Sequence, residues 1–572
     1  MTTRLKLVIV LLFSIFNEAF AWQQFFTNDR IIDEYDQVCS STIPNRIVYC
    51  GGRLIEAVNY HALYADSKDF VDSPMKYSPM EVMSAFNQTF PMDIRKIDRN
   101  ELIKFVEAYF EKPSTELIEC IPPDWTPEPP EIMKIQDPTL RAWALDLNAL
   151  WKTLCRRIDP KVSANIDKHS IIQVEHNFII PGLLVSGMVE TAKGMARNLI
   201  SMVYYTKRSQ PPMLTPIVYA IYEKTDEIDF VKEAMPALEK EFNFWQTERK
   251  DTVTMKNNET REVYFYRAQT FTPRPESMRA DLNQSDGMDV QSRRLFFQSS
   301  ASATESGWDF SSRWFADRKT IQTIETAKIA PVDLNSYVCW NMQILEYLSE
   351  VQGDFKKARM YEQMHTEFRY TLNEVFYNEE YGAWYDLNTS KKLFHITDKK
   401  EIGTNDHIVH NFPSVATPLF TGCYDLLDTD KPRRLFKSLL ETGFFNFSGG
   451  IPTSLVSTNQ QWDFPNGWAP TNHQKSANPE MQDKGFEVAM KWIYGNYKVY
   501  NSTRKMFEKY DVVSSDTFFC ILNLIFLIGK TPEPGRGGEY AVQTGFGWSN
   551  GVILDLLSTY YDRIKAPPSG ND

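Results

Sequence analysis

No basic tract runs through the 572 residues, and the formal net charge is -12, so the electrostatic footprint of a nucleic-acid-binding protein is missing. Nucleic acid is excluded as the expected partner. No close Cys/His cluster has zinc-ligand spacing and no Gly-x-Gly-x-x-Gly precedes a helix, which removes the motifs of a metal centre and of a dinucleotide site; no cofactor is expected. A Gly-x-Ser-x-Gly elbow is absent and no thiol has an evident histidine partner, so serine and cysteine hydrolases fit poorly. Cysteine is scarce: seven in a chain this long make no disulfide scaffold, and the odd count leaves a thiol unpaired within the monomer, with Cys39 and Cys50 one pairing the sequence allows. Apolar runs are short too. FFCILNLIFLIG (518–529) cannot cross a bilayer alone, and the terminal KAPPSGND has no hydrophobic tail for a lipid anchor, so no obligate membrane partner is expected.

One short apolar run has another meaning. Arg4 and Lys6 precede Leu7 to Phe16, and Ala19-Phe20-Ala21 closes the segment with a small-x-small exit, the pattern of a secretory signal peptide over 1–21. A secreted, extracellular protein is expected, with six Asn-x-Ser/Thr sequons at Asn87, Asn258, Asn283, Asn388, Asn446 and Asn501 open to glycosylation.

Beyond the leader, residues 22–139 read as an amino-terminal extension, polar and proline-punctuated, more an extended collar than a packed module. From 140 to 572 the text is helical. LRAWALDLNALWKTLCRRI sets Leu140, Trp143, Leu147 and Leu150/Trp151 on one stripe, and similar stripes recur to the segment around 424–443. Strand signals are few. The loops, by contrast, are rich in Gly, Trp, Pro, Arg and acid, so a polar site in an all-α body is expected on loops at one end. Helix pairs closing into a ring would gather them around a pit; a simple helical stack is the other arrangement. Aromatic residues at 13% suit a ligand with flat apolar faces and polar edges, such as a sugar.

The sharpest loop is ESGWDFSSRWF (305–315), which fixes Asp309 between Trp308 and Phe310. Apolar neighbours raise a carboxyl pKa toward the range where the acid keeps a proton to donate, whereas an inward Arg313 opposes that shift. Capping a helix that begins at SSRW is the plainer role. Glu508, in KMFEKYD, is a second candidate beside the reading of an ordinary helix face. Glu539, in GRGGEYAVQTGFGWSNG, lies among glycines that let backbone approach a ligand, or in a flexible linker. In QWDFPNGWAP, Trp462 and Trp468 offer stacking faces and Asp463 an acceptor, unless the stretch is a turn pinned by core aromatics. Arg274 and Glu276 of PRPE, and Arg208 and Gln210 of KRSQPP, present donors and acceptors for hydroxyls, or structural ion pairs. Carboxylates with aromatic walls and no cofactor fit hydrolysis of a glycosidic bond.

QWDFPNGWAP closely resembles the second signature of the trehalases, and ESGWDFSSRWF, PRPES, RSQPP, FEKYD and GGEYAVQTGFGWSNG are similar to further trehalase blocks, in order, from about residue 60 to 556. The resemblance implies an (α/α)6 toroid and inverting hydrolysis of α,α-trehalose, a small disaccharide, to two glucose molecules. It implies Asp309 as general acid, Glu508 as general base, and Arg208, Gln210, Arg274, Glu276, Trp308, Trp462 and Glu539 around the sugar. The family's first signature is missing: Gly182 passes directly into LLVSGMVETAKGM. That loss sets a second reading beside the enzyme, a catalytically silent sugar-binding or interaction protein of the same family.

Overall fold

The computed structural model describes residues 44–169, 179–203, 209–255, 257–389, 407–410, 412–472, 479–513, 533–538 and 542–567. The leader and the apolar 518–529 run lie outside the described residues. Twelve helices carry the main body: α1 (Pro138–Leu154), α2 (Ile180–Val185), α3 (Val189–Met202), α4 (Leu214–Thr225), α5 (Ile228–Glu248), α6 (Val332–Val351), α7 (Phe355–Phe376), α8 (Thr417–Thr421), α9 (Asp430–Glu441), α10 (Ala469–Asn472), α11 (Pro479–Thr503) and α12 (Gly547–Thr559).

Apolar patterning sorts them into two rings. The even-numbered α6 and α12 are buried around most of their circumference; α12 hides Ser549 to Leu554 without a break. The odd-numbered α9 hides only Pro432 and Leu435 and turns its charges outward. A helix apolar on all sides belongs inside, and one with a single stripe belongs at the surface. Even helices pack on one another, α2 on α4, α4 on α6, α6 on α8 and α10 on α12, and α12 returns to α2. Six outer and six inner helices alternate along the chain, which is the (α/α)6 toroid. The closing contact is tight: a Cβ on Gly182 of α2 would lie 2.4 Å from the Gly551 Cα of α12.

Alternation has a geometric result. Successive antiparallel helices put every outer-to-inner connection at one end of the ring and every inner-to-outer connection at the other. The loops α3–α4, α5–α6, α9–α10 and α11–α12 are all of the first kind, and they contain all the candidate residues.

Strands among the described residues form only two-stranded sheets. One matters for the site: β1 (Asn466–Trp468) pairs antiparallel with β2 (Lys509–Asp511), with Trp468 opposite Lys509 and Asn466 opposite Asp511. The amino-terminal region differs from the extended collar its prolines suggest. It folds into helices such as Pro79–Thr89, opened by a Ser78/Glu81 capping box, and Arg99–Tyr109, capped by Asp98. Val82, Phe86, Leu102, Phe105 and Val106 enter a second apolar core that also takes in Trp308, Phe310, Trp462 and Trp468. The sparse apolar positions three and four apart are enough to build it.

Candidate active site

The helix Val290–Ser306 stops at Gly307, whose φ of 73° is the left-handed conformation that glycine adopts without a Cβ penalty. The chain then turns into Trp308-Asp309-Phe310. Trp308 and Phe310 are buried while Asp309 between them is half-buried. Capping is not its role: the short turn at Ser312–Trp314 is capped by Ser311, which accepts from the Arg313 N–H. Nor does Arg313 neutralise Asp309. The guanidinium is fully buried and bidentate to both Asp333 (2.7 and 2.9 Å) and Asp386 (2.8 and 2.8 Å).

Glu508 is not on a helix face. It is 1% exposed, immediately before β2. Its carboxylate Oε2 accepts from Gln461 Nε2 at 2.9 Å, its backbone carbonyl accepts from Trp548 Nε1 at 2.9 Å, and its N–H donates to Gln543 O at 3.1 Å. The same stretch that holds Glu508 also holds the loop of Asp309, because the Trp462 N–H donates to the Phe310 carbonyl at 2.9 Å. Gln461 and Trp462 are consecutive, in the turn before β1, so one short stretch ties the loop of Asp309 and the side chain of Glu508 to one wall. That wall is indole: Trp462 stacks on Trp468 with centroids 4.7 Å apart, Trp308 meets Trp468 edge-on at 5.7 Å, and Trp548 contacts both Trp462 and Trp468.

Arg274 donates through Nε and Nη2 to Asp281 and through Nη1 to Thr304 Oγ1, with its guanidinium 4.9 Å from the Phe310 ring centroid. It therefore lies against the residue that follows Asp309. Glu276 is half-buried in the short turn Pro275–Ser277 next in sequence. Gln210 sits between two fastened neighbours: the Ser209 N–H donates to Glu305 Oε1 at 2.9 Å and Asn341 Nδ2 donates to the Pro212 carbonyl at 3.0 Å. Glu305 is itself fully buried and paired with Arg249 at 2.9 Å. Arg208 and Glu539 lie outside the described residues.

Asp463 is occupied by the protein. Its carboxylate accepts from Ser311 Oγ, Ser312 N–H, Ser312 Oγ, Ser454 Oγ and Thr458 Oγ1, so the pinned-turn role describes it. Burial pushes its pKa up against those five donors. The one cluster of metal-ligand types among the described residues, Cys339, His365 and Cys423, has its sulfurs joined in a disulfide and so offers no thiolate.

The family model for trehalase matches residues 62–561. The chain belongs to the trehalase family. Trehalase of Homo sapiens is 33% identical, covering 91% of this chain and 90% of its own, and that of Apis mellifera is 34% identical, covering 91% and 85%. Trehalase of Oryctolagus cuniculus is 34% identical and covers 91% of each chain. Gly182 lies inside α2 at the ring closure. Two residues of the site escaped the sequence reading although each adjoins a candidate in a trehalase block: Gln461 precedes Trp462, and Lys509 follows Glu508. Their signal was adjacency, but a neutral amide and a lysine between acids read as surface chemistry until burial is known.

Proposed function

We propose that the chain hydrolyses α,α-trehalose with inversion, Asp309 acting as the acid and Glu508 as the base. The observation that carries the reading is the pair of bonds from consecutive residues, Trp462 N–H to Phe310 O and Gln461 Nε2 to Glu508 Oε2, which tie both carboxylate-bearing loops to one tryptophan wall. Asp309 gives its proton to the glycosidic oxygen as the bond to the anomeric carbon breaks. Glu508 takes a proton from water, whose oxygen attacks that carbon from the opposite face. Trehalose plus water becomes two glucose molecules, one leaving as the α anomer and one formed as β. Trp308 and Trp462 supply apolar faces for the rings. Arg274, Glu276, Gln210, Arg208 and Glu539 complete the sugar's surroundings in this reading.

Asp309→Asn and Glu508→Gln test it. Each is expected to lower kcat on trehalose by at least ~100-fold with folding intact by circular dichroism; a variant that keeps most of its turnover removes its residue from the mechanism.

Secretion is part of the proposal, supported by the leader pattern and by the disulfides Cys120–Cys155 and Cys339–Cys423, which persist in oxidising compartments. Five sequon asparagines are exposed, whereas Asn388 is 8% exposed and donates to Glu325, so glycans are expected at some of the five and not at Asn388. Glycopeptide mass spectrometry of protein from the culture medium of a eukaryotic host checks both points; retention in the cell, or a glycan on Asn388, contradicts them.

A further inference from the structure

We propose that Lys509 and Gln461 are positioning residues for the base: the lysine ammonium locks the Gln461 amide in the one orientation that donates to Glu508, and couples Glu508 to the glycine-rich loop before α12. The inference rests on Glu508 being the base.

An amide side chain has two faces, and only its partners decide which one points where. Lys509 Nζ donates to Gln461 Oε1 at 2.8 Å. An ammonium has donors alone, so it fixes the oxygen of Gln461 toward itself and the NH2 toward Glu508 Oε2, 2.9 Å away. A flipped amide would set NH2 against ammonium and oxygen against carboxylate, two repulsive contacts in place of two bonds. The same Nζ donates to Gly537 O at 2.7 Å, Arg536 O at 3.2 Å and Gln461 O at 3.3 Å. A 0% exposed lysine thus holds the glycine loop and the amide together.

The glycines fit the same picture. They bring the backbone to the protein's own amide. A Cβ at Gly538 would stand 1.9 Å from Gln461 Oε1, one at Gly535 would stand 2.7 Å from Lys509 Cγ, and one at Gly537 would stand 2.6 Å from Asn459 O. Only bare backbone lets the loop close over Gln461 and Lys509.

The charges on the surrounding elements leave this role to Lys509. Asp463, beside Trp462, is filled by serine and threonine donors; Arg536 on the loop pairs outward with Glu533; Tyr510 on β2 accepts the Phe507 N–H; Asp309 lies on the facing loop. Burial pushes the Lys509 pKa down to about 8, the Glu508 charge opposing, so the ammonium persists at neutral pH.

The test is the pH dependence of kcat/KM for four full-length variants on trehalose, with thermal melts for folding. Gln461→Glu keeps the shape and the Lys509 contact but turns a second carboxylate on Glu508; the base pKa rises, and the acid limb is expected to move up by about one pH unit. Lys509→Met is expected to lower kcat by roughly 10-fold to 100-fold with KM changed by less than about 3-fold. Lys509→Arg is expected to restore most of that kcat. An acid limb unmoved in Gln461→Glu, or equal kcat in the Met and Arg variants, overturns the proposal. Should Lys509→Met fail to fold, Gln461→Glu decides alone. Glu508→Gln separates the two failures: full turnover in that variant sinks the base assignment, whereas a dead Glu508→Gln beside an unmoved limb sinks the positioning role only.

Discussion

At the scale of single residues, burial decides what each charge does. Arg313, four places from Asp309, is fully buried and spent on Asp333 and Asp386, and Arg274 donates to Asp281. Glu241 on α5 is the opposite case: its Oε2 is sealed from solvent with no partner among the described residues, and burial pushes its pKa from 4.5 up to about 8. Between those values the folded protein keeps a proton that the unfolded chain has released. Stability from this group is therefore complete below pH 4.5 and falls as pH rises toward 8. Glu241→Gln is expected to raise the unfolding free energy at pH 7 by on the order of 2 kcal/mol and to change it little at pH 4.5. Urea titrations at the two pH values check this, and equal effects at both contradict it.

At the scale of elements, helices with dense stripes were readable from sequence and thin ones were not. Leu140, Trp143, Leu147 and Trp151 are all buried on α1, as their spacing predicts. The inner helices α2 and α10 are too short for periodicity to mark, and the amino-terminal helices hide theirs among prolines and charges. Site loops were readable as chemistry, since Trp, Asp and Gly crowd them, but not as contacts. Asp463 and the glycines of 535–538 read as ligand-facing groups, whereas the protein's own hydroxyls, those of Ser311 and Ser312 being 152 and 151 positions away in sequence, and a neighbouring amide occupy them. Only the fold supplies such partners. α2 also carries the closure of the ring. Gly182→Ala would press a methyl against the Gly551 backbone, and neither helix can yield cheaply there. A loss of about 1–3 kcal/mol in unfolding free energy is expected from denaturant melts, with wild-type stability as the contrary result.

At the scale of the molecule, the alternation of outer and inner helices explains why four distant loops meet. Each leaves an outer helix and enters an inner one, so the ring delivers them to one end, and the bonds of Gln461 and Trp462 then set two carboxylate loops on a shared indole wall. The disulfide from Cys339 on α6 to Cys423 beside α8 staples two adjacent inner helices of that ring. The proposed function uses that assembly: an acid from one loop and a base from another, acting across a sugar that rests on tryptophan. The most direct measurement is the proton NMR spectrum of the first turnovers of this chain on trehalose, read before mutarotation. Equal amounts of α- and β-glucose, absent in Asp309→Asn and Glu508→Gln, are predicted. Release of α-glucose alone, or undiminished release by either variant, would contradict the pairing of Asp309 with Glu508.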